Sequence, residues 1–121
     1  MAIGRKRLVV GAHYGLRDWL AQRLTALVLA AYSIFFVIYL AVVRAGGNLG
    51  YDEWAGIFVG GWMKVLTLIA ILALVYHAWI GMRDVWMDYV RPTGIRLVLL
   101  LVTVLWLVFC AIWAAQILWS V

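Results

Sequence analysis

The chain has 121 residues, 69% of them hydrophobic and only 12% charged, with a mean hydropathy of +1.07 and a net charge of +5. A soluble domain of this length needs much more polar surface, so an ordinary water-facing fold is excluded. The basic residues form no stripe interleaved with exposed aromatics, which excludes nucleic acid as the partner of that charge.

The remaining solvent is a lipid bilayer, whose core of about 30 Å takes roughly 20 apolar residues per helical crossing. An N-terminal arm, residues 1–19, carries Arg5, Lys6, Arg7, His13 and Arg17. Residues 24–43 contain no charge and predict a first span over about 20–44. That window is too long for a cleavable signal peptide, and no small-residue cleavage site followed by a soluble domain comes after it. The connection "RAGGNLGYDEWAGIFVGGW" has glycines that break the helix after Arg44. Asp52 and Glu53 suit the first turn of a short helix through Phe58. Its Tyr51, Trp54 and Phe58 predict a position in the outer membrane interface, where amphipathic aromatics settle.

A second span is predicted over about 62–89 and a third over about 95–120. The only ionisable groups in their apolar windows, residues 65–82 and 97–121, tyrosine aside, are His77 and Cys110. Cys110 reads as a small core hydrophobe. The expected fold is therefore all-α, a single membrane-anchor domain over 1–121 with three transmembrane helices. Arg5, Lys6, Arg7, Arg17 and Arg23 precede the first span, and Arg83, Arg91 and Arg96 follow the second. Only Arg44 and Lys64 fall in the other connection. The positive-inside rule then places the N-terminus and the 83–96 loop inside and the C-terminus outside. Trp62 and Trp119 fall at the outer belt, Trp19 and Trp86 at the inner one.

One histidine, two aspartates, two arginines and a tyrosine crowd into "HAWIGMRDVWMDYVRP", residues 77–92. At 100° per residue, Ala70, Ala73, His77, Gly81, Asp84 and Asp88 fall within about 40° of one line. A neutral imidazole at that depth needs partners for both nitrogens. An interhelical hydrogen bond beside closely packed small residues would supply them. So would a metal, with Ala73 and Gly81 leaving room for a flat macrocycle. Both readings are open on spacing alone. Pro92 cannot continue a helix, so Asp88 and Tyr89 are expected in the last turn of the second span. There the macrodipole disfavours the Asp88 carboxylate, and Arg83, Arg91 or an arginine from elsewhere would have to offset it. The Tyr89 hydroxyl could donate to the carbonyl of a lipophilic ligand, or the ring could simply belong to the interfacial belt.

The same stretch resembles the core motif of the small cytochrome b membrane-anchor subunit of succinate dehydrogenase, the D subunit of respiratory complex II. His77, Trp79, Ile80, Gly81, Asp88, Tyr89, Val90, Arg91 and Pro92 stand at matching spacing. The likeness extends through "DWLAQRLTALVL" and "YDEWAGIFVGGWMKVLTL", from about residue 15 to the C-terminus. It implies a four-subunit succinate:quinone oxidoreductase in a bacterial cytoplasmic or mitochondrial inner membrane. A flavoprotein oxidises succinate and an iron–sulfur subunit carries the electrons. Two three-helix cytochrome b anchors share a b haem and bind a quinone, ubiquinone or menaquinone. The resemblance makes His77 one axial ligand of the haem iron and Arg23 a partner of a haem propionate. It makes Tyr89 the donor to a quinone oxygen, with Asp88 orienting the quinone pocket through a partner's arginine. One departure is Arg17, where the family often has a histidine before the aspartate of "DW".

A single histidine within the spans is half of a bis-histidine site, so the second imidazole would come from another chain. Two other classes have specific expectations. A b-haem anchor of another respiratory oxidoreductase usually has four spans with both ligands on one chain. A small structural or transport protein using Asp84 and Asp88 would place a carboxylate deep within a span, whereas both aspartates fall near its edge.

Overall fold

The computed structural model of the chain describes the backbone of residues 10–121 and side chains from Gly15 onward, so Arg5, Lys6, Arg7 and the His13 side chain lie outside the described residues. It is all-helical over that range: α1 (Val10–Ala45), α2 (Tyr51–Ile57), α3 (Gly61–Tyr89) and α4 (Thr93–Ser120). The three long helices are each long and apolar enough to cross a membrane. The protein is an integral membrane protein with three such helices. At 1.5 Å per residue, the 36 residues of α1 extend about 54 Å, well beyond a hydrocarbon core. Residues 10–19 of the expected N-terminal arm are therefore helical and continuous with the span. No proline or charge interrupts the apolar run that follows.

The ends of the elements follow from local chemistry. After Ala45 the chain turns at Gly46 and Gly47, whose amides bond back to the carbonyls of Val42, Val43 and Arg44. At α2 the Glu53 carboxylate reaches back to accept the Gly50 amide at 3.0 Å, satisfying a donor that would otherwise be orphaned at the helix start. Helix α3 stops at Tyr89 because Pro92 follows, and Val90 is already extended, with φ −102° and ψ 110°.

Helix α3 is central, with α1 and α4 each packing against it. Both neighbours run antiparallel to it. Across α1/α3, Asp18 pairs with Arg83 and Tyr32 bonds to Thr67. Across α3/α4, Trp86 Nε1 donates to Thr103 Oγ1 at 2.9 Å, and Lys64 Nζ donates to the Val121 carbonyl at 3.1 Å. Aromatic contacts seat α2 on α1, with Phe36 against Trp54 at 5.7 Å and against Phe58 at 5.9 Å. Among the described residues only Ile57, Met63, Ala70, Ile80 and Leu118 are buried apolar side chains. Cys110, expected in the core, is free and half-buried. Apolar surface therefore faces outward on every helix, as lipid or another apolar chain requires.

Candidate functional site

A polar stripe runs along the face of α1 that meets α3. Asp18, Gln22, Thr25 and Tyr32 are separated by four, three and seven residues, which keeps all of them within about 40° of one line on an α-helix. On α3 the partners are Arg83, whose long side chain reaches round the helix, and Gly81, His77 and Thr67. The pairs meet in antiparallel register: Asp18 with Arg83, Gln22 beside Gly81, Thr25 with His77 and Tyr32 with Thr67. Gly81 permits this approach. A Cβ added there would lie 3.9 Å from Gln22 Nε2, ordinary van der Waals contact with nothing to spare for a longer side chain.

Toward the inner end of the pair, according to the expected topology, the two helices part around a cavity of about 520 Å3. His77 and Ile80 line it from α3, and Gln22, Arg23 and Trp19 line it from α1. Asp18 and Asp84 stand at its polar rim. His77 is half-buried, and its Nδ1 lies 3.0 Å from Thr25 Oγ1. Nε2 has no hydrogen-bond partner among the described residues. The Arg23 guanidinium sits 5.1 Å from the centre of the Trp19 ring, a cation–π arrangement that leaves its N–H groups free to bind an anion. Gln22 Oε1 is buried and has no hydrogen-bond partner among the described residues. Arg83 pairs with Asp18 and lies 4.0 Å from an oxygen of Asp84, so the rim carboxylates are partly offset.

Two of the four residues singled out from sequence, His77 and Arg23, come together in this cavity. Asp88 and Tyr89 do not. They lie eleven and twelve residues along α3 from His77, about 17 Å along the axis. Asp88 shares the His77 face, while Tyr89 is turned about 120° from it. Tyr89 is 81% exposed, and Asp88 has no ion pair among the described residues. Arg83, one expected counter-charge for Asp88, is held by Asp18 instead because the antiparallel register brings α1 to it first. Arg17 is exposed and stands outside the cavity lining. Sequence reasoning missed Thr25, Gln22 and Asp18, although their helical spacing was a readable signal.

The arrangement suits one kind of chemistry. An imidazole with a free nitrogen offers one metal-ligand lone pair, and an adjacent guanidinium offers charge for a carboxylate. Among the described residues no three of His, Cys, Asp and Glu converge on a point that could hold a bare metal ion. The residues present therefore fit one side of a prosthetic group with its own metal and peripheral carboxylates, and the orphaned Gln22 Oε1 adds an acceptor to that wall.

Fold and site together define an integral membrane protein of three long apolar helices with an open cavity between α1 and α3. Comparison with known proteins gives the family. Residues 2–112 match the model of the succinate dehydrogenase/fumarate reductase transmembrane subunit. The chain is 40% identical over 105 residues to the succinate dehydrogenase hydrophobic membrane anchor subunit of Coxiella burnetii, covering 87% of this chain and 89% of that protein. It is 33% identical over 100 residues to the subunit of the same name from Rickettsia typhi, covering 83% and 72% respectively. The Rickettsia felis subunit is 30% identical over 108 residues, covering 89% and 85%. The chain belongs to the succinate dehydrogenase/fumarate reductase transmembrane subunit family.

Proposed function

We propose that this chain is the small membrane-anchor subunit of an inner-membrane succinate:quinone oxidoreductase and supplies half of a b-haem site and part of a quinone site. The observation that carries this reading is the cavity in which His77, with its unpartnered Nε2, and Arg23 stand together. His77 Nε2 would hold the haem iron and Arg23 a propionate carboxylate. Bound haem supplies one-electron exchange within the low-dielectric membrane, tuned by its axial ligands and their surroundings. The second imidazole comes from the other cytochrome b anchor subunit.

Tyr89 and Asp88 serve the quinone. At the inner end of α3 a tyrosine hydroxyl can donate to a carbonyl oxygen that gains negative charge on reduction. Asp88 orients that pocket through an arginine of a partner subunit. The open surface around both residues fits a site that the iron–sulfur subunit closes, with the flavoprotein beyond it. Succinate oxidation belongs to that flavoprotein.

Affinity purification through a tag on this chain, in mild detergent, tests the assignment. The flavoprotein, the iron–sulfur subunit and a second anchor are expected to co-purify, and succinate should reduce a short-chain quinone analogue. Cells lacking the chain should keep succinate oxidation by a soluble dye and lose quinone reduction. Parental quinone reduction in such cells would overturn the assignment.

A further inference from the structure

The contact between Thr25 and His77 carries more than helix packing. Thr25 Oγ1 lies 2.7 Å from the Ala21 carbonyl oxygen, 3.1 Å from the Gln22 carbonyl oxygen and 3.0 Å from His77 Nδ1. A hydroxyl has one proton to give and two lone pairs to receive with. A carbonyl oxygen only accepts, and an O–H···O bond has its usual length near 2.7 Å. If the hydroxyl proton turned to Nδ1, the Thr25 and Ala21 oxygens would face each other at 2.7 Å with no hydrogen between them, which is repulsive. Threonine in a helix commonly bonds back to the carbonyl four residues earlier. The proton belongs to the Ala21 carbonyl, and the ring contact must run from Nδ1–H to Oγ1.

We propose that Thr25 is a positioning residue: anchored on the α1 backbone, its hydroxyl accepts the His77 Nδ1 proton, fixes that tautomer and ring orientation, and keeps the Nε2 lone pair available for a haem iron. This rests on the haem reading given above. The oxygen that selects the tautomer sits on α1 and the ligand on α3, so α1 sets the azimuth of an imidazole it does not carry. An acceptor on Nδ1–H also makes the ring a stronger donor through Nε2. A stronger donor favours the ferric over the ferrous state, so the hydroxyl holds the haem midpoint potential down.

Thr25→Val keeps the shape and β-branching and deletes only the hydroxyl. In the assembled complex, potentiometric titration followed by haem absorbance should show a raised midpoint. The ferric-to-ferrous ratio at the parental midpoint should fall by up to about tenfold, which is 59 mV for one electron. The low-spin ferric electron paramagnetic resonance signal should broaden or move as the ring loses its fixed orientation. Thr25→Ser should restore both properties, and succinate oxidation by a soluble dye should stay parental in every variant. Should the valine variant fail to assemble, Thr25→Ala provides the same comparison. His77→Ala is the companion variant. If it changes the haem spectrum while Thr25→Val changes neither potential nor resonance, the role of Thr25 is overturned and the haem reading stands. If Ser and Val shift the potential equally, Thr25 acts by packing and the inference fails. If His77→Ala leaves the haem untouched, the haem reading itself fails and Thr25 has no ligand to position.

Discussion

Tyr89 and His77 occupy one helix but different environments, and the difference is physical. His77 meets α1 and gains Thr25 as a partner, while Tyr89 at the end of α3 is left 81% exposed. A hydroxyl so exposed has no hydrogen-bond partner among the described residues, so its deletion should not disturb this fold. Tyr89→Phe should leave assembly, haem content and dye reduction at parental levels. Quinone turnover by succinate should fall on the order of 10²-fold, the loss typical of removing one donor from a site of developing negative charge. Parental turnover with unchanged apparent quinone affinity would return Tyr89 to the aromatic belt. At this scale the sequence made residue types legible but not their neighbours. The depth of His77 and the terminal position of Tyr89 follow from apolar run length and from Pro92. That Arg83 serves Asp18 rather than Asp88 depends on the rotation and register of α1 against α3, which no local spacing encodes.

Helices were the most legible elements, because length and hydropathy alone require them in a bilayer, where every backbone polar group must be satisfied within the segment. The short α2 was also legible, from the glycines before it and from Asp52 and Glu53 in its first turn. The seam between α1 and α3 was half legible. Ala70, Ala73 and Gly81 announced a close-packed face around His77, and the spacing of Asp18, Gln22 and Thr25 was readable as a polar stripe, but which helix that stripe meets was not. Gly81 tests that seam. Alanine there meets Gln22 Nε2 at an ordinary 3.9 Å and gains helix propensity, so Gly81→Ala should keep the parental melting temperature of the purified complex. Gly81→Leu crowds the Gln22 side chain on α1, at a cost of about 1–3 kcal/mol, and should melt several degrees lower. Equal melting of the alanine and leucine variants would show that no close approach exists at this position.

For the whole molecule the main fact is how little it buries. Two antiparallel contacts, α1 on α3 and α3 on α4, leave a small core, and apolar side chains such as Leu27, Ile34, Leu101, Leu105 and Ile112 face outward. Lipid can solvate such surface, and anionic headgroups can pair with an arginine such as Arg23, but lipid brings no metal to Nε2 of His77. The cavity between α1 and α3 presents His77 and Arg23 from one side, and under the proposed function another chain brings the facing half. The most direct test is the dithionite-reduced minus oxidised absorbance spectrum of the purified complex, parent against His77→Ala, with haem counted per copy of this chain. The account predicts one b haem per copy in the parent, and in the variant a lost or altered b-type band with dye-linked succinate oxidation intact. An unchanged band at unchanged stoichiometry would contradict it and leave His77 as a packing histidine bonded to Thr25.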